Sequence, residues 1–324
     1  MKILVIFTGG TIGSTVNENW ISLNDNTKYT LIENYKKTDS NVEFDVLSPY
    51  SILSENLSAN ELTILCKLVS ENAKKGYDGI IVTHGTDTIQ YSASALDFTV
   101  NAKNIPIVLV SSNYPLNDER SNGNINFKTA IDFIKSKVSN GVFVAYKNNG
   151  DSDVKVHLAS QIATHGEGHD GLYTLAGIPF ASVIDGKVIV NKTAKPNGVD
   201  LSVNYALSPN ILLLNAFPGD LYSYDLSTVN AVLIKPYHSG TLNTENVKLK
   251  EFCDKAKSKN IPVFVCNVTN GVAYDSSKAF NDLALTVLPF SSVPAIYVKI
   301  WLAISLNKNV KDFVTTELSN EFSI

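Results

Sequence analysis

Short β-branched apolar runs alternate with longer stretches of helical periodicity along nearly the whole chain, and that alternation admits few folds. A strand that is apolar throughout has both faces covered, and a parallel partner needs a crossover long enough to hold a helix. The pattern therefore predicts βαβ units with helices on both faces of a mainly parallel sheet. The strands read as KILVIF (2–7), GIIVT (79–83), IPIVLV (105–110), GVFVAY (141–146), ILLLNA (211–216), AVLIKP (231–236) and IPVFVCN (261–267). Helices are expected over 58–74, 88–101, 125–138, 244–259 and 294–306. The first opens on Ser58 with Glu61 three residues on, a capping box, and carries Leu62, Leu65, Cys66 and Val69 on one stripe.

The polar, Pro- and Gly-bearing stretch from 186 to 209 separates a long block of strands from a shorter one. The fold class is thus α/β: a larger, doubly wound, mainly parallel N-terminal domain over 1–185, a linker over 186–209, and a smaller C-terminal α/β domain over 210–324. With 27 basic against 31 acidic residues, the chain has no cationic surplus for nucleic acid or an anionic membrane surface. The first apolar run stops at Phe7, far short of a signal segment, and no run approaches a membrane span. Cys66, Cys253 and Cys266 have neither CxxC spacing nor an even count, so a reducing cytoplasm is expected.

Ligands of open parallel sheets bind beyond the carboxyl ends of the strands. This selects TGGTIG (8–13), THGTDT (83–88) and SSNYP (111–115). The first turn lacks the GxGxxG and GxxxxGK[ST] patterns of phosphate cradles, which leaves a plain turn or a hydroxyl nucleophile ahead of phosphate binding. In the second, Asp87 beside Thr86 suits the ordering of a hydroxyl or the holding of an ammonium; equally, Thr86, Asp87 or Thr88 suits the N-cap of the 88–101 helix. The Asn-rich stretch 14–29 reads as a flap over the end of the first strand. His165, Glu167 and His169 in HGEGH sit among glycines, as in a loop rather than a ligand-bearing helix, and no metal is expected.

TGGTIG, HGTDT (84–88), RSNG (120–123) and FPG (217–219), in this order and spacing between Lys2 and about residue 305, resemble the bacterial L-asparaginase family, which includes glutaminase-asparaginases. The resemblance implies Thr11 as nucleophile, Thr86 as a partner in proton transfer and Asp87 as the acceptor of the substrate's α-amino group. It implies Ser54 and Glu55 on the α-carboxylate and amino group, and Ser112 against the amide; the glycine turns, with Gly10 and Gly85, are expected to offer backbone contacts. The reaction implied is hydrolysis of L-asparagine to L-aspartate and ammonia through a threonine acyl-enzyme, without cofactor, in a homodimer or homotetramer. An amidohydrolase for another small amide such as L-glutamine, and a non-catalytic amino-acid-binding protein, are the alternatives. A tRNA-linked amidotransferase component is a relative of the same family, disfavoured for want of an extra N-terminal domain and a basic run. The residue types suit a zwitterion, which needs donors for its carboxylate and anionic acceptors for its ammonium. Threonine, a weak nucleophile, also needs a base and an oxyanion hole.

The chain departs from the family at several points. Trp20 stands where the flap carries a tyrosine, with Tyr29 as the substitute candidate. The family lysine is absent from 158–171, which leaves Lys155 or His165 as base candidates, and general-base help is worth about 100- to 10,000-fold. HSGTLN (238–243) replaces a GxGN segment, and Asn122 replaces an aspartate in RSNG.

Overall fold

A computed structural model describes residues 1–17, 20–23, 27–166, 170–204, 209–268 and 274–322, with the backbone alone for those of residues 16–28 that it includes. In chain order the first half runs β1 (Lys2–Phe7), a hairpin of β2 (Ser14–Asn17) and β3 (Trp20–Leu23), α1 (Thr27–Lys36), β4 (Glu43–Leu47), α2 (Ala59–Asn72), β5 (Gly79–Thr83), α3 (Ile89–Thr99) and β6 (Pro106–Val110). It continues through α4 (Gly123–Ser136), β7 (Gly141–Tyr146), β8 (Val154–Leu158), β9 (Ala181–Ile184) and β10 (Lys187–Val190). Apart from the hairpin, these strands form one eight-stranded sheet of order β10-β9-β8-β7-β6-β5-β1-β4. From β4 to β7 all pairings are parallel; β8, β9 and β10 extend the sheet antiparallel.

Alternate residues of the central strands feed two cores. Leu4, Ile6, Ile80, Val82 and Leu109 join the residues of α2 and α3, whereas Ile3, Val5, Ile81 and Val108 join those of α1 and α4. Both faces are covered, which is why these strands are apolar runs with no polar register. The capping box that starts α2 is formed, with Ser58 and Glu61 bonded reciprocally. Order along the sheet reverses at β1: the chain goes to β4 on one side and returns to β5 on the other. The carboxyl ends of β1 and β5 therefore flank a switch point, where a parallel sheet opens a crevice.

The second sheet holds β11 (Ile211–Asn215), β12 (Ala231–Lys235), β13 (Val263–Val265) and β14 (Thr286–Val287), all parallel. One of its faces shares a core with α5 (Val247–Ser258), the other with α6 (Val293–Ser305) and α7 (Val310–Thr315). Helix α6 is apolar almost all round because it serves both sheets: Ala295, Val298 and Leu302 pack into the first core, and Ile296, Ile300 and Ala303 into the second.

The stretch expected as linker begins earlier than the chain leaves the first sheet, since β10 occupies 187–190. Asp185 and Gly186, both at positive φ (48° and 78°), form the two-residue turn of the β9–β10 hairpin. The flap segment is a hairpin followed by the first turn of α1. Among the described residues no helix is long and apolar enough to cross a membrane. The three cysteines are buried and unpaired, and burial pushes each thiol up to about 12.

Asp97, buried on α3, has its pKa pushed up to about 7 by burial, against the opposing pull of the Ser160 and Ser319 hydroxyls. The native state thus holds this proton more tightly than the unfolded chain, whose carboxyl has the ordinary value of 3.8. Its contribution to stability is complete below about pH 4 and is lost as the pH rises through about 7, at up to about 1.4 kcal/mol per pH unit. Asp97→Asn is expected to flatten that slope, leaving urea midpoints little changed near pH 4 and raised above wild type at pH 8. A slope equal to that of wild type across this range would disprove the assignment.

Candidate active site

The chain leaves β1 through Thr8, Gly9 and Gly10, the glycines at φ of 104° and 75°. Gly10 N–H donates to the Ile52 carbonyl (2.8 Å) and Ile52 N–H to the Thr8 carbonyl (3.1 Å), so this turn is stitched to the segment that follows β4. The Thr8 hydroxyl donates to the Thr83 carbonyl at 2.7 Å, locking the turn to the end of β5. Its task is to shape the strand end. A Cβ on Gly10 would fall 2.3 Å from the Gly85 nitrogen, and one on Gly85 would fall 2.4 Å from Ser54 Oγ. Three segments, after β1, β4 and β5, thus meet with nothing but hydrogen between them. Thr11 and Thr86 each stand one residue past the Gly10–Gly85 contact.

Gly10→Ala combines that overlap with a backbone region that side chains avoid. It is expected to cost about 3 kcal/mol or more and to pry the two turns apart. Urea unfolding checks the first effect; a variant as stable as wild type would show that the turns are not in contact.

Thr11 opens a 3-10 turn, Thr11–Gly13, whose return is fixed by Gly13 N–H (2.9 Å) and the Ser14 hydroxyl (2.8 Å), both donating to the Gly10 carbonyl. Among the described residues, the Thr11 and Thr86 hydroxyls, both half-buried, have no hydrogen bond to protein, and the exposed carboxylates of Asp87 and Glu55 have no ion pair. The capping alternative for THGTDT does not describe the side chains: α3 starts at Ile89, its N-cap Thr88 makes no side-chain cap, and the Thr88 hydroxyl instead donates to the Ser54 carbonyl at 2.8 Å. Asp87 is left free. His84 is a packed residue whose Nδ1 donates to the Gly85 carbonyl (2.9 Å) and whose Nε2 accepts from Ser92 (2.9 Å); burial lowers its pKa and keeps it neutral.

Ser54 is buried on a 3-10 turn, Ser54–Asn56, with its hydroxyl against Gly85. Ser112 is buried too, but its hydroxyl donates to the Tyr114 carbonyl (2.5 Å) and lies 2.8 Å from Ser121, so in this arrangement it braces its own loop. Asn122 accepts from Asn113 N–H (2.9 Å) while donating to the Lys147 carbonyl (2.8 Å). An aspartate has no hydrogen for the second bond, which accounts for asparagine here. Gly10 N–H donates to Ile52 and so is not offered to a ligand, contrary to the expectation of a backbone contact there.

The structure separates the two base candidates. Lys155 lies on β8, three strands from β5 and so roughly 14 Å away, with its ammonium 2.7 Å from Asp153. His165 lies at the site: Nε2 is 2.9 Å from the Thr86 carbonyl oxygen and Nδ1 is 3.0 Å from that of Gly171. Tyr29 is exposed on the first turn of α1; Trp20 is paired with Asn17 on the hairpin, its side chain outside the described residues, as are Glu167 and His169. In HSGTLN, the Ser239 and Thr241 hydroxyls lie 3.0 Å apart in a turn closed by Gly240 N–H on the Tyr237 carbonyl. Sequence reasoning missed Gln90, whose Nε2 donates to the Asp87 carbonyl at 2.9 Å; nothing in its spacing distinguishes it from another buried helix residue. Thr86, Asp87, Gln90, His165 and Asp170 line a cleft of about 560 Å³. Among the described residues no group of three His, Cys, Asp or Glu is placed to hold a metal ion.

Residues 2–195 match the family model for the N-terminal domain of asparaginases. The chain is 26% identical over 225 residues to a glutamyl-tRNA(Gln) amidotransferase subunit of Methanobrevibacter smithii, covering 67% of this chain and 51% of that protein. It is 29% identical over 225 residues to the L-asparaginase of Thermococcus kodakarensis, covering 68% of this chain and 65% of the other. The chain thus spans between half and two thirds of these relatives' length. The solved structure of the thermostable L-asparaginase from Thermococcus kodakarensis superposes with a TM-score of 0.83 at 22% identity, over 99% of both chains, a likeness of fold.

Proposed function

Given that the chain belongs to the asparaginase family, we propose that it hydrolyses L-asparagine to L-aspartate and ammonia, with Thr11 attacking the side-chain amide carbon. The observation that carries this reading is the backbone contact of Gly10 with Gly85, one residue before Thr11 and Thr86, whose hydroxyls have no hydrogen bond among the described residues. In this mechanism the Thr11 oxygen bonds to the amide carbon and its proton passes by way of Thr86 to the departing nitrogen. Ammonia leaves, and water then cleaves the ester to regenerate Thr11. Asp87 and Glu55 hold the ammonium of the substrate, and Ser54 its carboxylate. L-Glutamine, one methylene longer, is the alternative amide. A cytoplasmic homodimer or homotetramer belongs to the same proposal, on the family resemblance.

Ammonia release from L-asparagine and L-glutamine by the purified chain tests the reading, with thermal stabilisation by L-aspartate measured in parallel. Stabilisation without release from either amide would replace it with an amino-acid-binding protein. The similarity to an amidotransferase component supports a second reading, in which the same threonine chemistry delivers ammonia to a partner protein. That reading expects only weak release by the isolated chain.

A further inference from the structure

The Thr86–Asp87 dipeptide lies between the end of β5 and the start of α3, outside both regular hydrogen-bond ladders. Both of its carbonyls are nevertheless held by side chains from the wall of the cleft, Thr86 by His165 Nε2 at 2.9 Å and Asp87 by Gln90 Nε2 at 2.9 Å. These two carbonyls belong to the peptide planes on either side of Asp87. Fixing both planes fixes φ and ψ of the residue between them, and with them the direction of its Cα–Cβ bond. The Asp87 carboxylate has no hydrogen-bond partner among the described residues, so its aim is set from the backbone side.

Gln90 carries a second sign. Its side chain is buried, with 3% of the residue exposed, yet its Oε1 has no hydrogen-bond partner among the described residues. A buried orphan oxygen costs stability, so the side chain is kept for its nitrogen. His165 makes the same point in another way. Each of its ring nitrogens faces a carbonyl oxygen, which accepts only, so neither nitrogen is directed at a threonine hydroxyl.

We propose that Gln90 and His165 are positioning residues that aim Asp87 at the α-ammonium group of an amino-acid ligand, making the site selective for ligands that carry it. The inference rests on the reading of Asp87 as the ammonium acceptor. The other ring nitrogen of His165, Nδ1, lies 3.0 Å from the Gly171 carbonyl oxygen.

L-Aspartate and succinate test this directly, because they share both carboxylates and differ only in the amino group. Calorimetric titration of wild type is expected to show tighter binding of L-aspartate. In Gln90→Met, which keeps the shape and removes the orphan oxygen, that preference is expected to fall about tenfold while the melting temperature holds or rises. His165→Asn, whose amide can follow Nδ1 to Gly171 but not Nε2 to Thr86, is expected to lose as much. His165→Gln, which restores a donor toward Thr86, is expected to lose less. Equal weakening of both ligands, a preference unchanged in Gln90→Met and His165→Asn, or no preference in wild type would each overturn the proposal. Ammonia release from L-asparagine is followed in the same samples. If the preference collapses as described while wild type releases no ammonia, the amidohydrolase reading falls and the positioning role stands.

Discussion

Thr11→Ala is expected to lower ammonia release from L-asparagine by about ten-thousand-fold or more, the scale of loss when a covalent nucleophile is removed. Stability should hardly change. The Thr11 hydroxyl makes no hydrogen bond to protein among the described residues and its side chain is half-exposed, so truncation leaves no buried partner stranded. The turn that presents it is held by Gly10, Gly13 and Ser14, none of which depends on the threonine side chain. Binding of L-aspartate should persist, since Ser54, Glu55 and Asp87 are untouched. Thr11→Ser keeps the hydroxyl and should retain most of the rate. The two readouts that decide the matter are turnover and the urea midpoint of the same preparation. Turnover within tenfold of wild type in Thr11→Ala would move the nucleophile to another hydroxyl, with Thr86 the first candidate.

The second large effect lies far from the crevice. Lys299 on α6 and Glu321 near the C-terminus form an ion pair in which neither side chain is exposed. Lys299 also donates to the Thr316 carbonyl and lies over the Phe322 ring, 4.4 Å from its centroid. The Glu321 carboxylate accepts from Leu318 N–H (2.7 Å) and Ser319 N–H (2.9 Å), so the last turn of the chain wraps the cation. Burial lowers the Lys299 pKa, and Glu321 pulls it back up. Removing one partner strands the other charge in the interior, and Glu321→Leu or Lys299→Met alone is expected to cost about 3–5 kcal/mol. Because α6 packs into the cores of both sheets, the loss should appear as one global shift of the urea transition. The double variant Lys299→Met/Glu321→Leu should recover most of it, since the cost arises from an unpaired charge and an apolar pair has none. Additive losses in the double variant would mean that the pair acts through packing alone.

The sequence disclosed the parallel core because its strands are apolar throughout, and the run from Ile3 to Phe7 permits no half-solvated reading. It disclosed α2 by its cap and stripe, and α6 by its helical periodicity. The antiparallel extension was harder to read. β9 and β10 are four residues each, and the Asp185–Gly186 turn signal between them lies at the start of a polar stretch that reads equally well as a linker. β4 and α1 were hidden for a similar reason: EFDVL is short and alternating, and α1 has only a weak apolar stripe.

At the site the division is sharper. The three turns could be singled out because strand ends in a parallel sheet are where ligands bind, and the resemblance to the family pointed within them to Thr11, Thr86 and Asp87. Whether THGTDT caps a helix or serves a ligand was not decidable from residue types, since the same threonine and aspartate suit both. The tertiary structure removes the side-chain cap, because the Thr88 hydroxyl donates to the Ser54 carbonyl thirty-four positions away in sequence; the ligand role belongs to the proposal. Lys155 and His165 were likewise told apart by distance across strands, and His165 meets the Thr86 carbonyl from seventy-nine positions away in sequence. Local sequence thus determined which groups can do chemistry at each strand end. Which of those groups meet is set by contacts between segments distant in the chain, because hydrogen bonds and close glycine contacts act over a few ångströms of space and are indifferent to sequence separation.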